Sequence, residues 1–282
     1  MASITGPHDL FIWMEQRIYS SVYMCVPIMA TKRDATVDAT ETTFRILEML
    51  KELDGAGITE LATRLDIPKS TAHNHLVTLR ENEYVVKHGT TYRVGLQFLE
   101  FGEHTRNRMR IYDVARPEVE ALAEQTGELS NLLVEEHGLG VYLCRARGDQ
   151  AVRVDTYAGM RVHLHCTGLG KAMLAYMPEE RVSEILDRRG LEPRTETTIT
   201  DCDALEEDLA AIRERGYAID HGERLSGLRC IAAPITNDDD VAVGAVSVSG
   251  PSSRMKGERL KTEVPELVMS AANVIELNMS YS

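Results

Sequence analysis

The stretch 69–81 constrains the fold of this chain more than any other, because its two sides differ sharply in polarity. Apolar side chains recur along one side at the spacing of an α-helix, at Ala72, Leu76 and Leu79. Pro68, a residue that suits the first turn of a helix and not its interior, precedes the stretch. We therefore predict a helix whose apolar side packs in a core and whose opposite side faces solvent or a partner.

Two further helices and a hairpin are predicted around this helix. Thr40 and Thr59 can each cap a helix on its N-terminal side. Two β-type runs follow it, at 84–87 and 91–94, and a turn at 88–90 joins them. Three helices, the last two separated by a short break, followed by a hairpin, indicate a winged helix-turn-helix.

The rest of the chain predicts a larger mixed domain, so the expected fold class is α+β. Strand-like runs, among them 151–157 and 161–164, alternate there with helices, and Pro117 is expected to begin a helix. The predicted organisation is an extension that is disordered or a misplaced start (1–35), the winged helix-turn-helix (36–95), a connector helix (96–116) and the larger domain (117–282).

Charge is divided unevenly along the chain, whose formal net charge is −13. Residues 29–110 carry 12 basic and 12 acidic side chains, whereas residues 111–282 carry 18 basic and 30 acidic ones. The acidity therefore does not oppose phosphate binding by the N-terminal part. A strongly acidic coat that is poor in lysine is typical of proteins from a high-salt cytoplasm, so we expect a halophilic source.

Cysteine usage and hydropathy indicate a cytoplasmic protein. The five cysteines are scattered and form no CxxC pair, which is typical of free thiols in a reducing compartment. An uninterrupted apolar run long enough to span a bilayer is missing from the sequence, so no membrane partner is expected.

The polar side of the 69–81 helix has the chemistry of a surface that reads DNA. The amide of Asn74 can form two hydrogen bonds with adenine in the major groove. Ser70 and Thr71 lie near the helix start, where the helix dipole favours phosphate. The candidate DNA contacts are Lys69, Ser70, Thr71, His73, Asn74 and Thr78 on the helix, with Lys87 and Arg93 on the wing. A winged helix that binds a protein partner instead of DNA remains an alternative.

Several motifs, in order, resemble those of IclR-type transcriptional regulators over about residues 40–278. They are ITELA at 58–62, PKSTAH at 68–73, GMRVHLHCTGLGKAMLA at 159–175, RGYAID at 215–220, CIAAPI at 230–235 and GAVSVSG at 244–250. The resemblance implies a C-terminal GAF-like effector-binding domain, with an antiparallel sheet and flanking helices. It also implies a homodimer or homotetramer on a palindromic operator, no cofactor, and control of carbon-source catabolism by a small metabolite. One departure is Asn74, where the family often carries a basic residue.

The resemblance also assigns an effector pocket. Its residues here are Gly159, Met160, Asp220, Leu228, Cys230, Ser247 and Ser249. Residues two apart on a strand share a face, so Leu228 and Cys230 belong together, as do Ser247 and Ser249. Hydroxyls, a thiol and a carboxylate on a concave face suit a small organic acid, a sugar acid or a hydroxylated compound.

Two rival readings use the histidines and cysteines of the C-terminal part. His163, His165, Cys166 and Cys230 could bind a metal ion or respond to redox state. A cysteine-dependent hydrolase with an appended DNA-binding head would need Cys144, Cys166 or Cys230 as its nucleophile, yet no motif of nucleophilic catalysis accompanies these thiols. The run GLGK at 168–171 lacks the glycine and the hydroxyl residue that a phosphate-binding loop requires at its ends. We therefore expect no catalytic and no metal-ligating residues.

Overall fold

The computed structural model describes residues 36–154 and 156–281. The predicted extension over residues 1–35 lies outside the described residues. The described chain forms a helical N-terminal part with a small hairpin and a C-terminal part built on a six-stranded antiparallel sheet, which confirms the α+β class. Among the helices of these two ranges, none combines the length and the apolar character that crossing a bilayer requires.

The N-terminal part has the predicted three helices and hairpin. Its elements are α1 (Asp38–Glu52), α2 (Ile58–Leu65), α3 (Lys69–Glu81), β1 (Val85–His88) and β2 (Thr91–Val94). The predicted bounds of α3 are confirmed, but Thr40 and Thr59 do not cap helices, because α1 and α2 begin before them. Val37 and Gly57 occupy the N-cap positions, and Asp38 adds a favourable charge to the first turn of α1.

A single apolar core joins these elements. Ile46 of α1, Leu61 of α2 and Leu76 of α3 are fully buried in it, together with Tyr92 of the hairpin. Each helix of the N-terminal part therefore has one buried side, and the orientation of α3 about its own axis is fixed by that burial.

The predicted connector helix over 96–116, with a new helix at Pro117, is wrong in its breakpoint. The structure has α4 (Gln97–Asn107) and α5 (Arg110–Thr126), separated where Met109 takes an extended conformation (φ −87°, ψ 102°). Pro117 lies inside α5, although a proline in a helix interior usually costs about 3 kcal/mol or more. Ile111 and Val119, on either side of it, are buried against the sheet, which keeps the helix continuous.

The C-terminal sheet has the strand order β5-β4-β3-β8-β7-β6, and every neighbouring pair is antiparallel. Its strands are β3 (Leu129–Glu136), β4 (Leu139–Arg147), β5 (Arg161–Val162), β6 (Ala218–Asp220), β7 (Leu228–Thr236) and β8 (Ala242–Pro251). Its helices are α6 (Gly168–Ala175), α7 (Glu179–Arg189), α8 (Cys202–Arg215) and α9 (Val264–Tyr281), the last preceded by a π-helical turn (Arg259–Glu263).

Helices cover both faces of this sheet, and alternate residues of each strand enter separate cores. Leu132 and Val246 face the core beneath α5 and α9. Leu133 and Ala245, each one residue removed, face the core beneath α6, α7 and α8. The period of two along the strands therefore assigns a residue to one layer or the other.

The predicted strand over 151–157 is wrong, and the predicted strand over 161–164 is reduced to β5. Residues 151–154, 156 and 157 have no strand pairing. Val154 and Thr156 instead point into a cavity beside the sheet, and Thr156 is buried. The alternation in the sequence thus reflects burial against that cavity rather than hydrogen bonding in a ladder.

We predict that Leu76→Ala destabilises the N-terminal part by about 2–5 kcal/mol, because it removes a fully buried side chain and leaves a cavity. Ser70→Ala, on the exposed side of the same helix, should change the free energy of unfolding by no more than about 0.5 kcal/mol. Urea unfolding of both variants measures the difference. Equal effects of the two substitutions would contradict the assigned orientation of α3.

Candidate nucleic-acid interface and effector cavity

The two sides of α3 have opposite exposure. Ala72, Leu76 and Leu79 are buried, as predicted from their spacing. The candidate DNA contacts of this helix lie on the other side: Lys69, Ser70, His73, Asn74 and Thr78 are exposed, and Thr71 is half-buried. The structure therefore brings these six side chains onto one solvent-facing surface, which we call the reading face.

Hydrogen bonds as well as packing hold α3 in place. The Oγ1 atom of Thr43 lies 2.8 Å from Nδ1 of His75, which connects α1 to α3. Arg45 of α1 donates to the carbonyl oxygen of Leu65 at the end of α2 (2.9 Å). The helix-turn-helix is thus tied together on the side away from the reading face.

The two wing residues lie on opposite faces of the hairpin. Lys87 pairs with Tyr92 across the ladder, whereas Arg93 pairs with Val86. The Nε atom of Arg93 donates to the carbonyl oxygen of Asp54 (3.0 Å), so this guanidinium is held against the turn after α1. Lys87 and Arg93 therefore do not form one basic patch.

Lys87 lies instead beside the start of α2. A shallow surface hollow there is lined by Gly57, Ile58, Thr59, Glu60, Thr63, Arg64, Lys87, Thr90 and Tyr92. Because Gly57 is the N-cap, the first backbone N–H groups of α2 have no side-chain cap. Thr59, Thr63, Arg64 and Thr90 also line this hollow, and none of them was among the DNA contacts predicted from the sequence.

A second site lies on the C-terminal sheet, where one row of side chains crosses four strands. Asp220, Cys230, Ser249 and Leu129 are successive register partners on β6, β7, β8 and β3. Gly168, at the start of α6, closes over this row. A Cβ atom at position 168 would lie 3.2 Å from Sγ of Cys230, so a larger residue would press into the thiol.

The row and α6 enclose a cavity of about 20 Å³. Its lining residues are Leu129, Asn131, Tyr142, Val154, Thr156, Thr167, Gly168, Leu169, Asp220, Arg224, Leu225, Leu228, Cys230 and Ser249. A volume of this size holds about one water molecule. A ligand that is larger than a water molecule and lies wholly within this cavity therefore requires its walls to move.

Four of the seven predicted pocket residues line this cavity: Asp220, Leu228, Cys230 and Ser249. Ser247 lies two residues before Ser249 on the same strand face and is fully buried. The structure does not bring Gly159 and Met160 into the cavity. Met160 lies at its outer rim, where Arg224 approaches its sulfur (3.5 Å), and Gly159 borders a hollow next to α4.

Sequence reasoning missed several lining residues, above all Asn131, Gly168 and Arg224. Gly168 belongs to a motif already quoted from the sequence and could have been found there. Asn131 and Arg224 come from distant segments, and only the sheet register brings them to the same cavity.

The cavity offers hydrogen-bond acceptors on Asp220 and Asn131 and a positive charge on Arg224. The Oδ1 atom of Asp220 accepts bonds from the backbone N–H groups of Gly222 (2.8 Å) and Glu223 (2.7 Å). Burial raises the pKa of Asp220, and these bonds together with Lys171 oppose that rise. Within the described chain, the buried Oδ1 atom of Asn131 has no hydrogen-bond partner. A ligand that donates hydrogen bonds and carries an acidic group suits this lining.

The thiols in this region have the wrong environment for a nucleophile. Burial raises the pKa of Cys166 to about 11 and that of Cys230 to about 12. Cys144, elsewhere on the sheet, is raised by burial to a pKa of about 11. Catalytic and redox-sensing cysteines work as thiolates, so their pKa is depressed rather than raised.

The histidines do not assemble a metal site. His163 and His165 pack edge to face, with ring centroids 5.6 Å apart, and burial lowers the pKa of both. His165 lies 3.1 Å from the carbonyl oxygen of Glu192, a bond that occupies one ring nitrogen. Across residues 36–154 and 156–281, no three His, Cys, Asp or Glu side chains are grouped to hold an ion.

Comparison with known proteins covers both parts of the chain. The profile described as IclR helix-turn-helix domain matches residues 39–89, and that described as Bacterial transcriptional regulator IclR C-terminal matches residues 103–277. A probable HTH-type transcriptional regulator ArcR of Halobacterium salinarum is 36% identical over 238 residues, which cover 83% of this chain and 90% of that protein.

Two further proteins agree with this result. An acetate operon repressor of Salmonella typhimurium is 32% identical over 238 residues, 83% of this chain and 86% of the repressor. The crystal structure of an IclR homolog complexed with 4-hydroxybenzoate, from Microbacterium hydrocarbonoxydans, superposes with a TM-score of 0.73 at 25% identity and covers 86% of this chain and 100% of that one. With a reading face on α3, a cavity on the sheet and family matches to both parts, this chain belongs to the IclR family of DNA-binding transcriptional regulators.

Proposed function

We propose that this regulator binds a palindromic operator as a homodimer, with each α3 in a major groove, and that a small organic or sugar acid in the sheet cavity sets its operator affinity. The observation that carries this proposal is the reading face, whose polar side chains are exposed while the opposite side of α3 is buried. The major groove admits an α-helix and presents a distinct hydrogen-bonding pattern for each base pair.

The side chains of the N-terminal part divide into base readers and phosphate contacts. Asn74 lies at the centre of the reading face and is the candidate for pairing with adenine. Ser70 and Thr71 lie in the first turn of α3, where phosphate is favoured. Lys87 and Thr90 flank the uncapped start of α2 and are suited to a neighbouring phosphate. Arg93 is assigned a lesser part, because Asp54 already holds its guanidinium.

Self-association is supported by exposed apolar side chains on α1 and around α4. Phe44 on α1 is more than half exposed, as are Leu99 and Phe101 on α4, and Leu96 just before α4 is 84% exposed. Such side chains on a soluble protein mark an interaction surface when they are grouped. A two-fold dimer formed through them would present two copies of α3 to two half-sites of opposite orientation. A homotetramer would pair two such dimers.

The lining of the cavity supports an acidic, hydroxylated effector. Arg224 can bind a carboxylate, while the Asp220 carboxylate and the Asn131 oxygen can accept bonds from hydroxyl groups. The IclR homolog complexed with 4-hydroxybenzoate binds a compound with a carboxylate and a hydroxyl group, and the name of the acetate operon repressor concerns carbon-source use. On the basis of these two features, we propose that the effector of the present chain is a compound of carbon-source catabolism in the cytoplasm.

Coupling between the two parts follows from the small size of the cavity. A ligand larger than water displaces the wall that contains Val154 and Leu225, outside the turn that carries Asp220 and Arg224, so it binds only one of two conformations of the C-terminal part. The break between α4 and α5 at Arg108–Met109 is the point where such a difference can rotate the N-terminal parts relative to each other. Operator affinity then changes by the free energy that distinguishes the two conformations.

We predict that Asn74→Ala weakens binding to the operator by about 1–3 kcal/mol and relaxes its base preference at one position, because a two-bond contact to a base is lost. Lys87→Ala should weaken binding equally to all sequences and lower the salt slope by about 1. Both are measured by fluorescence anisotropy against duplexes selected by the wild-type chain from a random pool. An Asn74→Ala variant with unchanged affinity and base preference would refute the base-reading role.

We predict that Arg224→Met weakens carboxylate binding by about 1.5–3 kcal/mol, since a hydrogen bond to a charged group is removed. Thermal stabilisation by glycerate, gluconate and 4-hydroxybenzoate measures it, because a ligand of the folded state raises the melting temperature. Arg181→Met, which removes an exposed arginine of α7 paired with Glu135 and Glu184, is the matched control. Equal loss of stabilisation in both variants would contradict the role of Arg224.

We predict that Cys144, Cys166 and Cys230 react with iodoacetamide at neutral pH roughly a hundredfold more slowly in the native chain than in concentrated urea, because burial suppresses the thiolate. Mass spectrometry of the three peptides gives each rate separately. A native rate that equals or exceeds the unfolded one would reinstate a cysteine nucleophile or redox sensor.

A further inference from the structure

We propose that Lys171 is a positioning residue for the effector site: it holds the turn 220–224, here called the effector turn, in the geometry that presents Asp220 and Arg224 to the ligand. This inference rests on the proposed effector function of the cavity. It gives a role to the lysine of the GLGK run, whose phosphate-loop interpretation the sequence itself excludes.

Lys171 is buried, donates hydrogen bonds to two oxygen atoms and forms an ion pair with a third. Its side chain is 2% exposed, and Nζ lies 2.6 Å from Oε1 of Glu223 and 2.7 Å from Oδ2 of Asp208. The second hydrogen-bond acceptor, besides Glu223, is the carbonyl oxygen of Ile219, at 3.1 Å. Two of the three donors of the ammonium group are therefore used in hydrogen bonds, and Asp208 adds a second negative charge beside it.

These partners place Lys171 on both ends of the effector turn. Ile219 directly precedes Asp220, and Glu223 directly precedes Arg224. Between them, Asp220 accepts the backbone N–H groups of Gly222 and Glu223, which closes the turn on itself. One ammonium group therefore fixes the two flanks of the segment that carries two lining residues of the cavity.

Helix α6 supplies both Gly168, which lines the cavity, and Lys171, which holds the effector turn. Gly168 packs against the Cys230 thiol, and Lys171 follows three residues later in α6. Residues three apart lie on the same side of a helix. Any shift of α6 that accompanies ligand entry thus moves the effector turn with it.

A second set of bonds holds the outer side of the effector turn. The hydroxyl groups of Thr195 and Thr198 donate to the carbonyl oxygens of Gly222 and Glu223, the shortest at 2.6 Å from Thr198. These bonds hold the backbone of the turn, whereas the buried carboxylate of Glu223 is held by its ion pair with Lys171. The turn can therefore remain folded without the ammonium group while losing its alignment.

Packing alone does not require a lysine at this position. A buried ion pair is often no more stabilising than apolar residues of similar volume, so its retention favours a specific geometry. Burial lowers the pKa of Lys171, but Glu223 and Asp208 raise it by more, so the residue stays charged. Its charge also favours the ionised form of Asp220, which burial disfavours.

The test compares the wild type with Lys171→Met combined with Glu223→Gln, a pair of changes that keeps side-chain length and leaves no unpaired carboxylate at position 223, while Asp208 keeps its ion pair with Arg215. Arg181→Met is the control for loss of an ion pair elsewhere. Hydrogen exchange of the Gly222 and Glu223 amides, in the full chain without ligand, reports the order of the turn. Circular dichroism shows that each variant is folded.

We expect these two amides to exchange at least about tenfold faster in the double variant, with α5 unchanged, and no acceleration in Arg181→Met. Unchanged exchange in a folded double variant would overturn the proposal. Should the double variant not fold, Glu223→Gln alone keeps an acceptor for Lys171 but removes one charge. A smaller acceleration, about threefold, is then expected, and none would equally overturn the proposal.

A pH-dependent readout separates positioning from general stability. In Lys171→Met alone, which keeps the Glu223 carboxylate, loss of the ammonium group should raise the pKa of Asp220 further, so that its carboxyl group becomes protonated at a higher pH; carbon NMR of this carboxyl group measures the shift. An unchanged pKa in the folded variant would overturn the proposal. The ionisable groups facing Asp220 are Lys171 on α6, Cys166 before it, His221, Glu223 and Arg224 on the turn, Cys230 on β7 and Tyr142 on β4.

Glycerate, a small acid with hydroxyl groups beside its carboxylate, serves as the binding probe. Calorimetry at neutral pH should show at least about tenfold weaker binding of glycerate to the double variant, while operator affinity without glycerate is unchanged. Equal glycerate affinity in both proteins would overturn the role of Lys171. Failure of the wild type to bind would instead overturn the proposed ligand class, while amide exchange still decides the positioning role.

Discussion

Burial of one side of α3 beneath α1 and α2 is the constraint on which the account of this molecule depends. Ala72, Leu76 and Leu79 occupy the core of the N-terminal part, so the helix cannot rotate without exposing them. Burying side chains of this kind contributes about 1.5–3 kcal/mol each for the larger ones, more than exposed polar contacts provide. Burial of the opposite side of α3 thus determines which side chains form the reading face.

In the C-terminal part, burial likewise determines where the side chains point, with the two-residue period of a strand. Alternate residues of β7 and β8 enter two cores, and the row from Asp220 to Leu129 arises where the polar members of that alternation meet α6. A glycine at 168 permits close approach of the helix, so the cavity is small and its walls must yield to a ligand. That requirement gives a physical route from binding to a change in the N-terminal parts.

Features of the fold that depend on neighbouring residues could be predicted from the sequence, whereas features that depend on residues far apart along the chain could not. The bounds of α3 follow from its own amphipathic pattern and from Pro68, and the structure reproduces them. Pro117 misled the prediction because burial of Ile111 and Val119 on the sheet outweighs the local preference of proline. The alternating run at 151–157 was wrongly predicted to be a strand. Alternation indicates that every second side chain is buried, but it does not indicate whether a neighbouring strand or a cavity wall covers those side chains.

The candidate site shows the same division. Asp220, Cys230 and Ser249 could be assigned from motifs, and register brings them into one row. Asn131 and Arg224 join them only through the order of strands and the path of a turn, which no local pattern specifies. Lys171 was visible in a glycine-rich run, but its partners Glu223 and Asp208 lie far along the chain.

Site-specific photocrosslinking from position 74 measures whether the reading face of α3 contacts the bases of the operator. A benzophenone side chain in place of Asn74 should crosslink to bases of the operator selected by the wild-type chain, and the crosslinked bases should fall in two half-sites about one helical turn apart. The same probe in place of Glu48, an exposed residue of α1, should not label bases. Crosslinks from position 48 with none from position 74 would contradict the account.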